Sequence, residues 1–283
     1  MKVLTLNTHS WVEEHPEEKL EQLADELAKQ KYDIIALQEV NQSIGGGAVE
    51  TDTFIPPKEE RFPVPITEDN FAHQLVQKLK NRGVTYYWSW AAVHISFSQY
   101  DEGIAILSKE PFTAESYLVS DTQVYSNYYT RKVLNAHIEL DGIAFNVFSV
   151  HFSWWKDAEG SYLFKGDWER TLEKLNPSAD AHLLIMGDFN NDSSVREEGY
   201  DLVKKTAPFL KDAYEAAETR IGEATITQEI DGWEGHFDEK RIDYIFVGDQ
   251  IEVHTCRVVF DGNTEPVISD HFGVEAHLNI KTY

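Results

Sequence analysis

The chain has very little cysteine: Cys256 is alone among 283 residues. An internal disulfide is therefore excluded, and so is any zinc cluster built on cysteines. Basic residues are scarce too. Lys and Arg total 25 against 49 Asp and Glu, a formal net charge of −24. Proteins that track a nucleic-acid backbone draw most of their affinity from a basic face, and a strongly acidic chain repels polyanions at long range. The balance argues against a nucleic-acid partner. No apolar run is long enough to cross a bilayer, and the opening Met1-Lys2-Val3-Leu4-Thr5-Leu6-Asn7 has no signal-peptide pattern. With the lone cysteine, this leads us to expect a cytoplasmic protein with no membrane partner. Also missing are His-Glu-x-x-His, which a zinc hydrolase would carry, and a Gly-x-x-x-x-Gly-Lys phosphate loop.

What is present is globular. Hydrophobic residues make up 42% and aromatics 12%, enough for a sizeable core, and no repeat or flexible linker divides the chain. We expect a single domain over residues 1–283. Lys2 to Leu6 reads as a strand. Pro16-Glu17-Glu18 starts a helix in which Leu20, Leu23, Ala24 and Leu27 recur at helical spacing. Asp33 to Leu37 is a short apolar run of the buried-strand kind, giving a βαβ-type opening. Residues 41–66, with three consecutive glycines and four prolines, read as a long irregular excursion. Helices are expected near 69–81, 167–175 and 196–206. Strands are expected at 85–93, 103–108, 112–119, 132–140, 143–151, 183–186, 242–247, 251–260 and 272–280. Asp141-Gly142 marks a hairpin turn. The mixture implies an α/β fold.

The chemically capable residues share a placement at or next to strand ends. Asn7 closes the first strand and Gln38-Glu39 the second. His151 closes Ile143 to Val150. Gly187-Asp188-Phe189-Asn190 follows Leu183 to Met186. Asp243 opens a strand, and Ser269-Asp270-His271 precedes the last one. Strand ends carry sites because side chains there leave the core from a rigid base. Taken singly, each has a plain structural explanation: Asn7 as a turn residue, Asp270-His271 as a surface pair, His151 as a hydrogen-bonded histidine. Taken together, acids, amides and two histidines are what an oxygen-ligated cation and a proton-transfer pair require.

Leu6-Asn7, Leu37-Gln38-Glu39-Val40, Ser149-Val150-His151, Gly187-Asp188-Phe189-Asn190, Arg241-Ile242-Asp243-Tyr244 and Ser269-Asp270-His271 form an ordered series. It resembles the motif series of the endonuclease/exonuclease/phosphatase (DNase I-like) superfamily and spans nearly the whole chain. The resemblance implies a four-layer α/β sandwich, two packed mixed β-sheets flanked by helices, with the site at one edge. It implies a metal-dependent phosphoric ester hydrolase using Mg²⁺, with Mn²⁺ as a substitute. Mg²⁺ takes oxygen ligands in octahedral geometry and keeps several waters. Glu39 would be the main ligand, with Asn7 and Asp270 beside it. His271 would be the general base, oriented by Asp243. Asp188 and Asn190 would hold the attacking water and a phosphate oxygen. His151 would bind phosphate or protonate the leaving oxygen, partnered by Glu102 from Tyr100-Asp101-Glu102-Gly103. Arg131 would contact phosphate. Glu102 as a turn residue and Arg131 as a surface strand residue remain open readings.

The family also acts on DNA, RNA, sphingomyelin and inositol polyphosphates, so the motifs leave the substrate open. Acidity turns the expectation toward a small soluble phosphate ester. Trp154-Trp155-Lys156 and Asp231-Gly232-Trp233-Glu234-Gly235-His236 are loop-like, and Trp154, Trp155 and Trp233 offer stacking platforms for a sugar, unless they only pack loops onto the sandwich. Lys156 or Arg131 would hold the phosphate. These segments, with Thr5 to Trp11, are similar to an acidic subgroup that includes maltose 6′-phosphate phosphatase. The leading expectation is a sugar-phosphate phosphomonoesterase. The alternatives are a nuclease, a sphingomyelinase-like phosphodiesterase and a catalytically silent binding module.

Overall fold

In the computed structural model, which describes residues 1–58, 60–175, 181–230, 233, 235 and 238–281, apolar strand runs arise because both faces of each sheet are covered. In strand β1 (Lys2–Asn7), Val3 faces one core while Leu4 and Leu6 face another. In β7 (Ile143–His151), Val147 turns to the first core and Phe148 and Val150 to a third. Side chains alternate across a strand, so a doubly covered strand must be apolar at successive positions.

Two sheets result. The first has the order β10 (Thr219–Ile221), β12 (Ile251–Val259), β13 (Gly273–Ile280), β1, β2 (Ile34–Ser43), β4 (Tyr100–Ser108), β3 (Tyr87–Ser96). The second has the order β5 (Phe112–Leu118), β6 (Lys132–Leu140), β7, β8 (His182–Asp188), β11 (Asp243–Gly248), β9 (Leu210–Asp212). Both are mixed: β1 and β2 are parallel, as are β7 and β8, and most other pairs are antiparallel. The sheets pack face to face through one core. Helices α1 (Pro16–Gln30) and α2 (Phe71–Asn81) cover the outside of the first sheet. Helices α3 (Phe164–Leu172) and α4 (Gly199–Thr206) cover the second, and the short α5 (Ala213–Ala216) follows β9. This is the expected four-layer α/β sandwich. No helix among the described residues is long and apolar enough to cross a membrane.

Helix α1 buries the four residues its spacing indicates, with Pro16 at its start and Glu17 and Glu18 in its first turn. The third helix spans Phe164–Leu172 rather than 167–175, with Phe164 and Trp168 packed in the core. The hairpin at Asp141-Gly142 has both residues at positive φ, as a two-residue turn of this kind needs. Strand β2 runs past Leu37 to Ser43. The excursion that follows is fastened by bridges from Ala48 to Thr67, Phe54 to Trp88 and Lys58 to Glu115. The buried Lys132 ammonium also pairs with Glu60.

Candidate active site

Sheet register builds the first half of the site. His151 pairs with Asp188 across β7 and β8, and Asp188 pairs with Asp243 across β8 and β11. Three polar side chains therefore emerge at one level from adjacent strands. Gly187 is required just before Asp188: a Cβ there would lie 1.9 Å from the Val150 carbonyl oxygen. His271 enters from the segment before β13. Its Nδ1 lies 2.9 Å from Asp243 Oδ2, and its Nε2 lies 3.8 Å from Asp188 Oδ2. The same Asp188 oxygen is 3.7 Å from His151 Nε2. Asn190 donates its backbone N–H to Asp188 Oδ1 at 2.8 Å and its side-chain amide to the Phe152 carbonyl at 2.9 Å.

The first sheet supplies the other half. Pairing of β2 with β4 skips between Leu37 and Val40, and Glu39 sits in this bulge at φ +51°. A bulge re-aims a side chain that regular pleating would send elsewhere. The Asn7 amide nitrogen lies 2.8 Å from Glu39 Oε1 and 3.1 Å from Asp188 Oδ2, bridging the two sheets. Glu39 Oε1 is 4.0 Å from His151 Nε2. Asp270 lies beyond, with its backbone N–H donated to Glu13 at 2.9 Å. His9 Nδ1 is 2.7 Å from the same Glu13 oxygen and 3.7 Å from Asp270 Oδ1.

Of the remaining predicted residues, Glu102, Arg131 and Trp154 line one cavity of about 600 Å³. Glu102 is a strand residue of β4, not part of a turn, and its Oε1 lies 3.9 Å from His151 Nδ1. Arg131 is buried; its guanidinium donates to the Tyr128 carbonyl at 2.8 Å and sits 5.8 Å from the Trp154 ring centre. Its Nε is buried with no hydrogen-bond partner among the described residues. Trp154, Tyr128 and Asn190 also line a second, adjoining cavity with Trp155, Lys156 and Trp233. Trp155 is packed edge-on to Tyr162, and Lys156 lies over that same Tyr162 ring. Trp233 donates to Asn190 Oδ1 at 3.3 Å. Its neighbours Asp231, Gly232, Glu234 and His236 lie outside the described residues.

Sequence reasoning missed His94. It is buried, lines the cavity, and holds its Nε2 3.4 Å from Glu102 Oε1. It also gave no weight to Glu13, which joins His9 to Asp270. The pairing of His9 and Glu13 at a four-residue spacing was the available signal.

The electrostatics show a site crowded with negative charge. Burial, then the Glu102 charge, pushes Glu39 up to about 8. Burial, then the Asp243 charge, pushes Asp188 up to about 7. Burial opposes a charge on His271, but the Asp243 and Asp188 carboxylates outweigh it and hold the imidazole well above its usual value. Burial, then the charges of Arg131, His94 and His271, holds His151 well below its usual value. For His9, the Glu13 hydrogen bond and the Glu39 and Asp270 charges overcome burial and raise it to about 9. Carboxylates clustered this way suit a hard divalent cation, whose charge offsets the repulsion. Among the described residues, two groups bring ligand atoms within 4.8 Å of one another: His9, Glu13 and Asp270, and Asp188, Asp243 and His271. Glu39 belongs to neither group, and Asn7 links it to the second.

The sequence matches the profile of the Endonuclease/Exonuclease/phosphatase family over residues 12–271. No curated protein shows a significant match. Among solved structures, an endonuclease/exonuclease/phosphatase family protein from Leptotrichia buccalis is 27% identical, with a TM-score of 0.83, covering 99% of this chain and 100% of that one. A mannosyl-6-phosphatase (Bt3783) from Bacteroides thetaiotaomicron is 18% identical, with a TM-score of 0.66 and coverage of 99% and 100%. D. rerio TDP2, complexed with a single-strand DNA product, is 16% identical, with a TM-score of 0.63 and coverage of 99% and 98%.

Proposed function

The chain belongs to the endonuclease/exonuclease/phosphatase family of metal-dependent phosphoester hydrolases, and from that premise we propose that it is a Mg²⁺-dependent phosphomonoesterase acting on a small sugar phosphate. Residues 1–283 work as one catalytic domain in this reading, in the cytoplasm, with a small-molecule phosphate ester as partner. The observation that carries it is Asp188, with one oxygen under 4 Å from both His151 and His271, on the floor of a cavity of about 600 Å³. That constellation suits attack on one phosphorus atom. The net charge of −24 disfavours a polyanionic substrate, and the name of the mannosyl-6-phosphatase neighbour fits a phosphosugar.

Glu39, Asn7 and Asp270 would hold the cation. When bound, it offsets charge developing on the phosphoryl oxygens and favours ionised Asp188 and neutral His271. Asp243 fixes the tautomer of His271: Nδ1–H donates to the carboxylate, leaving the Nε2 lone pair to take a proton from water. Asp188 and Asn190 hold that water against the phosphate. Arg131 offers its free Nε–H to a phosphate oxygen. Burial and the Arg131 charge keep His151 neutral before phosphate enters. An entering phosphate dianion favours its protonated form, which then gives the Nε2 proton to the leaving oxygen. Trp154, Trp155, Lys156 and Trp233 border the cavity that would receive the sugar.

The test is phosphate release from a panel of sugar phosphates and nucleotides, with plasmid and single-stranded DNA in parallel, in Mg²⁺ and in EDTA. Mg²⁺-dependent release from a sugar phosphate, with little DNA cleavage, is the expected result. DNA cleavage at comparable rates, abolished by His271→Ala, would replace this reading with a nuclease.

A further inference from the structure

His94 is buried and titratable, lines the cavity, and like Glu102 has no part in the mechanism above. It lies directly opposite Glu102 in the pairing of β3 with β4. It reaches that position through a register shift between Ala92 and His94, so the strand is distorted where this side chain meets the carboxylate. Gly103, next to Glu102, allows the approach: a Cβ there would lie 2.3 Å from Trp90 Nε1 and 2.5 Å from the Ala91 carbonyl oxygen.

The neighbours of the imidazole decide where its proton sits. Nε2 faces a carboxylate oxygen of Glu102, at 3.4 Å. Nδ1 has the Arg131 guanidinium at 3.4 Å and the Thr130 carbonyl at 3.2 Å. The same guanidinium nitrogen donates to Thr130 O, so it can serve both groups. If the only proton were on Nδ1, the Nε2 lone pair would point at Glu102 in a buried setting, and two acceptors would repel. With the proton on Nε2, His94 donates to Glu102 and accepts from Arg131. A doubly protonated ring also places a proton on Nε2. A ring protonated only on Nδ1 would instead donate to Thr130 O, but a carboxylate is the stronger acceptor and the stronger repeller of a lone pair, so the favoured state aims an N–H at Glu102.

We propose that His94 is a positioning residue: its Nε2–H fixes the Glu102 carboxylate, whose Oε1, 3.9 Å from His151 Nδ1, orients that ring by its charge so that Nε2 meets the leaving oxygen. This rests on the phosphomonoesterase reading. In the step served, the water oxygen bonds to phosphorus as the bond from phosphorus to the leaving oxygen breaks. One water proton passes to His271, and the leaving oxygen takes the His151 Nε2 proton. His94 keeps its own proton throughout. Its effect must then scale with how much the leaving group needs a proton.

The experiment compares full-length wild type, His94→Leu and His94→Gln on phenyl phosphate and 4-nitrophenyl phosphate, and on a hexose phosphate that the wild type cleaves. The nitrophenolate departs without a proton, whereas phenoxide and an alkoxide need one. His94→Leu should lower kcat on phenyl and hexose phosphates by about 10²-fold, with KM little changed, and lower kcat on 4-nitrophenyl phosphate at least several-fold less. His94→Gln, whose amide nitrogen still donates, should recover most of the loss. If His94→Leu does not fold, His94→Asn, too short to reach Glu102, takes its place. Equal losses on both aryl esters, or no loss on either, would overturn the proposal. A wild type inactive on every sugar phosphate would instead sink the substrate assignment, and the aryl pair would still test His94.

Discussion

Asp243 holds His271 by a single buried contact, 2.9 Å from Oδ2 to Nδ1, and both side chains are almost fully enclosed. Its other oxygen, Oδ1, is buried with no hydrogen-bond partner among the described residues. A carboxylate in this position accepts only, so the imidazole must keep its proton on Nδ1 and present Nε2 to the cavity. Asp243→Asn offers an N–H to the same nitrogen and favours the wrong tautomer. We expect kcat to fall by about 10²–10⁴-fold, with the circular dichroism spectrum unchanged. Activity within a few-fold of wild type would remove His271 as the base.

The crowding of Glu39, Glu102, Asp188 and Asp243 makes the folded protein a better cation site than the unfolded chain. Mg²⁺ or Mn²⁺ should raise the melting temperature, by an amount that corresponds to about 2.7 kcal/mol at a hundred times the dissociation constant. EDTA should reverse the gain. An unchanged melting curve in millimolar Mn²⁺ would contradict the assignment of Glu39, Asn7 and Asp270 as ligands.

Gly103 should not tolerate a side chain. Gly103→Ala forces Trp90 and the Ala91 carbonyl apart, a change that costs about 1–3 kcal/mol, and it displaces Glu102 beside it. Denaturant melts and phosphate release should both fall. A fully stable and active variant would mean that the close approach of β3 to β4 does not matter to the site.

Asp167 gives a pH dependence. Its carboxylate accepts the Ser153 N–H at 3.0 Å, and burial pushes it up to about 6 from an ordinary value of 3.8. In the unfolded chain it ionises first. Between those values the folded state holds the proton and the unfolded state does not, so stability from this group is greatest at low pH and is lost as pH rises through about 6. Asp167→Asn keeps an acceptor and removes that loss, worth about 1–3 kcal/mol. The melting temperature of the variant relative to wild type should be higher at pH 8 than at pH 5. The opposite trend would contradict the account.

The layers and most strands could be read from the sequence because strands covered on both faces leave unbroken apolar runs, as in Ile34 to Leu37 and Leu183 to Met186. Asn7, Glu39, His151, Asp188, Asp243 and His271 stood out as polar residues beside such runs, and the fold brings them together. What could not be read depends on pairing. The bulge at Glu39 and the extension of β2 to Ser43 follow from register with β4. His94 has no local signature, since a lone histidine in a strand faces Glu102 only after a register shift. The packing of Trp155 against Tyr162 needed the path of the whole 152–163 loop.

In the proposed function, the Glu39 carboxylate and the two imidazoles serve one metal-dependent hydrolysis. The most direct test is the rate of phosphate release, as a function of Mg²⁺ concentration, by wild type and Glu39→Gln on the best substrate of the panel. Wild type should show saturable Mg²⁺ dependence, and Glu39→Gln should fold normally yet release phosphate at least about 10²-fold more slowly unless Mg²⁺ is raised far above the wild-type requirement. Equal rates from the two proteins, or wild-type release that persists in EDTA, would contradict it.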